Sequence, residues 1–350
     1  MTSGNPEGAA EQLKIAIAGL LDGQSLERGE ARQLMETILG GGATPAQIAG
    51  FLVALRLKGE TAAEVAGFVE AMREAAVPVT SRRTDLVDLC GTGGDGSGSI
   101  NISTAASLVA AAAGAGVAKH GNRSASSKCG SADVLEALGV PIDLDPEESG
   151  AKLDRFGFAF LFAPTHHPAM RFAGPPRREL GVRTVFNILG PLCNPVGVKR
   201  QLIGVFDDSV RGLIAEVLRE LGSERVWVVH GTVESASGTR PLDEISLAGK
   251  TCVTELDGGA IREFEITPED AGLKRCQLEA LEGGDAAFNA ERLTAIFGGE
   301  SGPQRDAVAL NAGAALLIAG LADSLTEGVQ KSFEVLDSGA VAKLVQDLTA

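Results

Sequence analysis

The chain has 350 residues, 44% of them hydrophobic and 22% charged, enough apolar content for one large core or two and too much for a disordered or fibrous chain. A formal charge of −15 argues against a general nucleic-acid surface, because phosphate backbones select basic faces. Five scattered cysteines (Cys90, Cys129, Cys193, Cys252, Cys276) without a Cys-x-x-Cys spacing exclude a zinc or redox motif and fit a cytoplasmic location.

The N-terminus, Met-Thr-Ser-Gly-Asn-Pro-Glu-Gly, lacks the basic start and apolar stretch of a secretory signal and reads as a loose tail. The rest of the first eighty residues predicts helices. Thr44-Pro45-Ala46-Gln47 and Thr61-Ala62-Ala63-Glu64 are capping boxes, and Ile48, Phe51, Leu52, Leu55 and then Val65, Phe68, Val69, Met72 recur at helical spacing behind them. Pro78 ends this run. A short apolar strand follows at 85–90, then a Gly-rich turn and an Ala-rich helix at 104–114. The longest apolar stretch, 105–118, is shorter than the roughly 20 residues that cross a bilayer, so no membrane association is expected.

Strands at 158–162, 201–206 and 225–229, with a helix at 209–221 between the last two, predict a mostly parallel sheet covered by helices. The strand signal lapses between, and helices at 168–180 and 184–189 are read as returning to the small domain. A hairpin near 251–266 and helices at 286–297, 306–319 and 324–336 complete the chain, with no internal repeat. The expected fold class is α/β: a small all-helical domain (1–80 with 166–196) and a larger α/β domain (84–165 with 197–350).

Gly91-Thr92-Gly93-Gly94-Asp95-Gly96 matches the dinucleotide pattern G-x-G-x-x-G after a strand. That pattern also expects an acidic residue about 20 positions on to hold a ribose, and no Asp or Glu occurs from 96 to 132; Lys119, Arg123 and Lys128 stand there instead. The turn runs on to Thr104, where Asn101, Ser103 and Thr104 open a helix, so backbone and hydroxyl donors would meet a polyphosphate at a positive dipole end. The same residues would equally make a Gly-rich turn and an N-cap. Lys119-His120-Gly121-Asn122-Arg123-Ser124-Ala125-Ser126-Ser127 offers cations, an amide and hydroxyls for a second phosphate group, or a solvated polar loop. From 155 to 206 the only acid is Glu179, against Arg155, Arg171, Arg177, Arg178, Arg183, Lys199 and Arg200. Two acid-free zones in an acidic chain suggest one anionic small-molecule site.

With Lys-His-Gly-Asn-Arg at 119–123 added to Gly-Thr-Gly-Gly-Asp at 91–95 and Asn-Ile-Ser-Thr at 101–104, the sequence resembles the anthranilate phosphoribosyltransferases. His-His-Pro-Ala-Met at 166–170, Arg-Arg-Glu-Leu-Gly-Val-Arg-Thr at 177–184 and Asp243-Glu244 extend the resemblance along nearly the whole chain. It implies that phosphoribosyl pyrophosphate is held by Gly91, Gly94, Asp95, Ser99, Asn101, Ile102, Ser103, Thr104, Lys119, His120, Gly121, Asn122, Arg123, Ser124, Ala125, Ser126, Ser127 and Ser131. It implies Mg²⁺, two ions, on Ser103, Asp243 and Glu244, and anthranilate on Gly91, Asn122 and Arg177. Arg177 would pair with the carboxylate and the Asn122 carbonyl would accept from the amine. It further implies a homodimer through the helical domain, with no nucleic-acid partner.

Displacement of pyrophosphate by a neutral aromatic amine needs little proton transfer, so no catalytic acid or base is assigned. His120 would orient the acceptor; His166 and His167 are read as packing or acceptor-channel residues, His230 as structural. Two departures from the family pattern stand out. Ser99 replaces the usual Thr, and the stretch 231–242 is longer than the usual short turn, with Pro241 where Gly is usual. The alternatives are a pyrimidine nucleoside phosphorylase of the same fold, whose own acceptor-side motifs are absent here and which would not need Asp243 and Glu244 for metal, and a non-catalytic nucleic-acid-binding relative, which would need a basic face.

Overall fold

The computed structural model describes residues 6–124, 128–235 and 238–349. Four helices open the chain: α1 (Pro6–Leu21), α2 (Arg28–Leu39), α3 (Pro45–Lys58) and α4 (Ala62–Glu74). Helix α1 starts within the segment expected to be a loose tail. Thr44 and Thr61 cap α3 and α4 as their spacing predicts: each side chain accepts the N3 amide while Gln47 or Glu64 reaches back. Then come β1 (Leu86–Gly91), α5 (Ile102–Ala112), β2 (Gly116–Gly121), α6 (Ser131–Ala137), α7 (Pro146–Phe156), β3 (Phe158–Phe162), α8 (Ala163–His166), α9 (Met170–Leu180), α10 (Phe186–Leu189) and β4 (Arg200–Gly204). The remainder is α11 (Arg211–Glu220), β5 (Arg225–Ser235), β6 (Gly238–Leu242), β7 (Thr251–Asp257), β8 (Ala260–Ile266), α12 (Ala286–Phe297), α13 (Pro303–Ala319), α14 (Leu325–Asp337) and α15 (Ala340–Thr349).

The strands form one sheet in the order β3-β2-β1-β4-β5-β7-β8, with β6 paired to β5 alone. β1 to β5 run parallel, and β6, β7 and β8 are antiparallel to their neighbours. The sheet is therefore mostly parallel, as expected. One face carries α5 and the C-terminal helices: Val87, Leu89, Val117 and Leu202 pack with Leu108, Leu310 and Leu316. The other carries α11 and is continuous with the helical bundle, where Cys90, Ile203 and Val228 share a core with Phe51, Phe68 and Leu189. Placing β1 at the centre puts the Gly-rich turn at the carboxyl edge of the sheet, where open α/β folds bind ligands.

The structure corrects the sequence reading in one place and extends it in another. The cluster at 119–123 is not simply a loop, because Lys119, His120 and Gly121 end a buried strand. The stretch after His230, longer than the family's short turn, forms a hairpin, β5–β6, in which Gly231 to Ser235 pair with Gly238 to Leu242 and Pro241 faces Thr232. A proline fits there because, among the described residues, β6 is an edge strand of the sheet.

Glu64 is the most buried acid of the bundle. Its carboxylate, 0% exposed, accepts from Leu26 N at 2.9 Å, Thr61 N at 2.8 Å and Lys58 Nζ at 2.9 Å. Removing it takes the counter-charge from a buried ammonium and the acceptor from two amides at once. Glu64→Ala is expected to cost about 3–5 kcal/mol, read as a lower urea midpoint at constant slope; a loss below about 1 kcal/mol contradicts the assignment of Glu64 as a buried hub.

Candidate active site

The turn after β1 needs backbone conformations that only glycine adopts without strain: Gly93, Gly94, Gly96 and Gly98 have φ of 70, 78, 71 and 69°. Arg183 braces it, donating to the Gly94 carbonyl at 2.6 Å with its guanidinium over the Phe206 ring. Inside the turn Asp95 accepts from Ser97 N, and Ser97 Oγ meets both N and Oγ of Ser99. The turn then enters α5. Asn101, at the N-cap, spends its side chain on a cross-chain link instead of the helix, donating to the Cys129 carbonyl at 3.2 Å and accepting from Asn289 Nδ2 at 2.8 Å. Ile102 and Thr104 are each 1% exposed and pack into the core, so only their backbone could face a ligand. Ser103 remains at the mouth.

Lys119 lies beneath that helix start. It is 2% exposed, and its Nζ donates to the Leu89 carbonyl at 2.6 Å and lies 3.4 Å from Ser103 Oγ. Burial lowers its pKa, opposed by the charges of Asp88 and Glu244. The acids respond in the opposite sense. Burial pushes Glu244 up to about 7 despite Lys119 and the Ser103 amide, which donates to Glu244 Oε1 at 2.9 Å. Asp243 is raised well above the carboxylate range, first by burial and then by Asp95 and Glu244.

Two glycines let Asp243 come so close. A Cβ on Gly204 would stand 1.6 Å from the Asp243 carbonyl oxygen, and one on Gly91 would stand 2.6 Å from its Oδ2. That oxygen accepts from Gly93 N at 2.7 Å, while Asp243 N donates to Asp95 Oδ2 at 3.2 Å. Among the described residues no three His, Cys, Asp or Glu side chains converge on one point as a metal cage. Two partly exposed, adjacent acids with raised pKa values nevertheless suit a hard cation that takes most of its oxygens from water and phosphate.

On the far side of β2, the His120 and His167 rings meet at a tilt of 55° with centroids 5.1 Å apart. Each ring donates to a carbonyl, of Gly190 and Cys193 respectively, and leaves Nε2 without a partner among the described residues. Nearby in sequence, Arg177 is half-buried over the Phe186 ring, and burial alone lowers its pKa, with no acid opposing it. His166 is structural: its Nδ1 lies 3.2 Å from the Val77 carbonyl, and its own carbonyl accepts from Val77 N. His230 likewise meets the Val205 carbonyl at 3.0 Å.

The residues after Gly121 are less gathered. The Asn122 carbonyl accepts from Ser131 Oγ and Ala132 N, each at 3.2 Å, and Ser124 N donates to Asp133. Arg123 forms exposed ion pairs with Asp133 and Glu136. Ala125, Ser126 and Ser127 lie outside the described residues.

Comparison with known proteins fits this geometry. Two family models match, "Glycosyl transferase family, helical bundle domain" over 14–76 and "Glycosyl transferase family, a/b domain" over 83–342. The chain is 50% identical to the anthranilate phosphoribosyltransferase of Moorella thermoacetica over 97% of its own length and 98% of the relative's. The chain belongs to the anthranilate phosphoribosyltransferase family. The crystal structure of the Thermus thermophilus member superimposes with a TM-score of 0.89 at 48% identity, covering 95% of this chain and 98% of that one. A Saccharomyces cerevisiae member in complex with PRPP and Mg gives 0.83 at 25% identity over 97% and 98%. The chain is thus a glycosyltransferase, and the nucleoside phosphorylase and nucleic-acid-binding readings are set aside.

Family motifs did not point to Asp88, Asn194 or Asn289. An acid inside an apolar strand was the available signal for Asp88; Asn289, on the first turns of α12, had none. Burial lowers His120 to about 3 and His167 to about 4. The unfolded chain takes up those protons from about pH 6.5, so these side chains withdraw stability as pH falls below that value. Asp88, pushed up to about 6 by burial, acts oppositely: the fold holds its proton at low pH, and this contribution is lost as pH rises through about 6. Imidazole NMR shifts of His120 and His167 are expected to stay those of the neutral ring from pH 8 to about 5; a midpoint near 6.5 in either would contradict the burial argument.

Proposed function

We propose that the protein transfers the phosphoribosyl group of phosphoribosyl pyrophosphate to the amine of anthranilate, giving N-(5-phosphoribosyl)anthranilate and pyrophosphate, in the tryptophan pathway and in the cytoplasm. The buried Lys119 ammonium below the start of α5 carries this reading, because a buried cation, a helix N-terminus and a glycine turn suit a leaving group with that many charges. The names of the relatives and the PRPP and Mg held by the yeast enzyme support it. In this reading Gly91 to Thr104, Lys119 to Ser127 and Ser131 surround the donor. Mg²⁺, two ions, would be held through Ser103, Asp243 and Glu244 and would supply charge neutralisation of the departing pyrophosphate.

The chain's own part is positioning. The amine nitrogen bonds to the anomeric carbon as the carbon–oxygen bond to pyrophosphate breaks, and the ribose carries positive charge in the transition state. The proton that the nitrogen then sheds is taken by the departing pyrophosphate or by water. An imidazole lowered to about 3 is a poor base, so His120 is assigned to orientation, its bare Nε2 accepting from an N–H. Arg177 has no acid of its own, which leaves its guanidinium for the anthranilate carboxylate; Gly91 and Asn122 would complete the acceptor site. Residues 1–80 with 166–196 are taken as the helical unit, since α9 rests on α2 and α3, and 84–165 with 197–350 as the α/β unit. No helix of the described residues is long and apolar enough to cross a membrane.

Loss of anthranilate fluorescence with phosphoribosyl pyrophosphate and Mg²⁺ tests the reaction; no turnover with Mg²⁺ or Mn²⁺ refutes it. In that assay Arg177→Ala is expected to raise the anthranilate KM at least about tenfold, since such charge pairs are worth roughly 2–5 kcal/mol, with the donor KM moving less than about threefold. Equal effects on both substrates would remove Arg177 from the acceptor site.

A homodimer through the helical unit belongs to the same reading. Ile15 and Leu21 of α1 are 66 and 65% exposed, and Val53 and Leu57 of α3 are 36 and 75% exposed, on two helices that pack together. Light scattering of Leu57→Glu is expected to show a monomer where the unsubstituted protein is a dimer; an unchanged dimer would place the interface elsewhere.

A further inference from the structure

Between β1 and β2 the ladder of backbone pairs stops early. β1 pairs with β4 as far as Gly91↔Gly204, and β2 with β3 as far as Gly121↔Phe162, yet β1 and β2 meet only at Leu86↔Gly116 and Val87↔Val117. Beyond those pairs, side chains stand in for the missing ladder. His120 N donates to Asp88 Oδ1 at 3.1 Å, and the Ala118 carbonyl accepts from Asn194 Nδ2 at 2.8 Å. The Leu89 carbonyl accepts from Lys119 Nζ at 2.6 Å. Asn194 Nδ2 also donates to Asp88 Oδ2 at 2.9 Å, while Asn194 Oδ1 accepts from Val196 N at 3.0 Å.

Asp88 is 0% exposed and Asn194 2%, so water cannot replace either. Buried amides and carbonyls must be paired, and strands this close would ordinarily pair with each other. Alternation along the strands puts Asp88 and His120 on one face and Lys119 on the other. One separation therefore sets the direction of both side chains, Lys119 towards Ser103 and His120 towards His167.

We infer that Asp88 and Asn194 are positioning residues, a buried wedge that holds β1 and β2 apart and so sets Lys119 for the donor phosphates and His120 for the acceptor. The wedge rests on the phosphoribosyl-transfer reading for its consequence but not for its geometry. It requires a carboxylate at 88, because His120 N–H and Asn194 Nδ2 are both donors and converge on its two oxygens. An amide there has one acceptor oxygen and must turn its NH₂ towards one of them.

The test compares Asp88→Asn and Asn194→Ser with the unsubstituted protein by steady-state rates with each substrate varied in turn, by melting, and by crystal structures. The expected result is a donor KM raised at least about tenfold, an acceptor KM raised less, and kcat reduced by a smaller factor than the donor KM rises. In the crystals, β1 and β2 gain ladder pairs, or Lys119 Nζ leaves the Leu89 carbonyl. A purely structural role lowers the melting temperature and the active fraction, so kcat falls with both KM values unchanged; that result overturns the wedge. A folded variant in which Lys119 and His120 keep their places overturns it as well, whatever its rate. Absence of turnover in the unsubstituted protein refutes the transfer reading instead, and the crystallographic comparison still decides the wedge. Where Asp88→Asn does not fold, Asn194→Ser, which retains the buried carboxylate, is judged by the same outcomes.

Discussion

An ammonium group with almost no access to water, Lys119 Nζ, is the constraint around which the carboxyl edge of this sheet is arranged. Burying such a charge is expensive unless hydrogen bonds and opposite charge meet it. Here it gets one strong backbone acceptor, Leu89 O, one distant hydroxyl, Ser103 Oγ, and the fields of Asp88 below and Glu244 above. The arrangement is unbalanced on both sides: the lysine is lowered while Asp88, Asp243 and Glu244 are raised. Each acid is held by a backbone amide, Asp243 by Gly93, Glu244 by Ser103 and Asp88 by His120, and the last two by the charge of Lys119 as well. The electrostatics of the site are thus inseparable from the backbone path of its loops.

That path explains what could and could not be read from the sequence. Helix starts were legible because a capping box is local chemistry, and Thr44 and Thr61 behave as their spacing says. The Gly-rich turn was legible too, since positive φ at Gly93, Gly94, Gly96 and Gly98 is the reason for those glycines. β2 was hidden because its end is polar, and a buried Lys–His pair imitates a loop in a linear reading. Asp88 and Asn194, which sit 106 residues apart, become partners only once the 190–196 segment folds back on β1, a non-local event with no pattern of its own. Gly204 is similar: its lack of a side chain looks incidental in the strand until Asp243 is found against it.

Charge distribution was informative in one region and misleading in another. The acid-free stretch 96–132 surrounds the start of α5 and Lys119, as a single anionic site requires. The second stretch, 155–206, disperses. Arg155 lies over Phe156 on α7, Arg200 pairs with Glu224 and reaches the Ala319 carbonyl, and Arg171 lies over Phe172. Arg183 reaches the Gly-rich turn, whereas Arg177 lies over the Phe186 ring. Absence of acids along a sequence concentrates positive potential only if the fold keeps the segment together.

The segment 166–196 is where the bundle and the sheet become mechanically one. Val77, just after α4, exchanges bonds with His166, and Arg73 of α4 donates to the Leu192 carbonyl at 2.8 Å. Within the same thirty residues Arg183 grips the Gly94 carbonyl of the Gly-rich turn and Asn194 enters the gap beside Asp88. Arg177 and His167, on one side of this segment, therefore cannot shift independently of the turn and of Lys119 on the other. A rotation of the bundle that moved Arg177 and His167 would pull on the Gly94 carbonyl and on Asn194 beside Asp88 together. The geometry of both halves of the site is consequently set by a handful of buried polar contacts to one returning segment, more than by the apolar core that surrounds them.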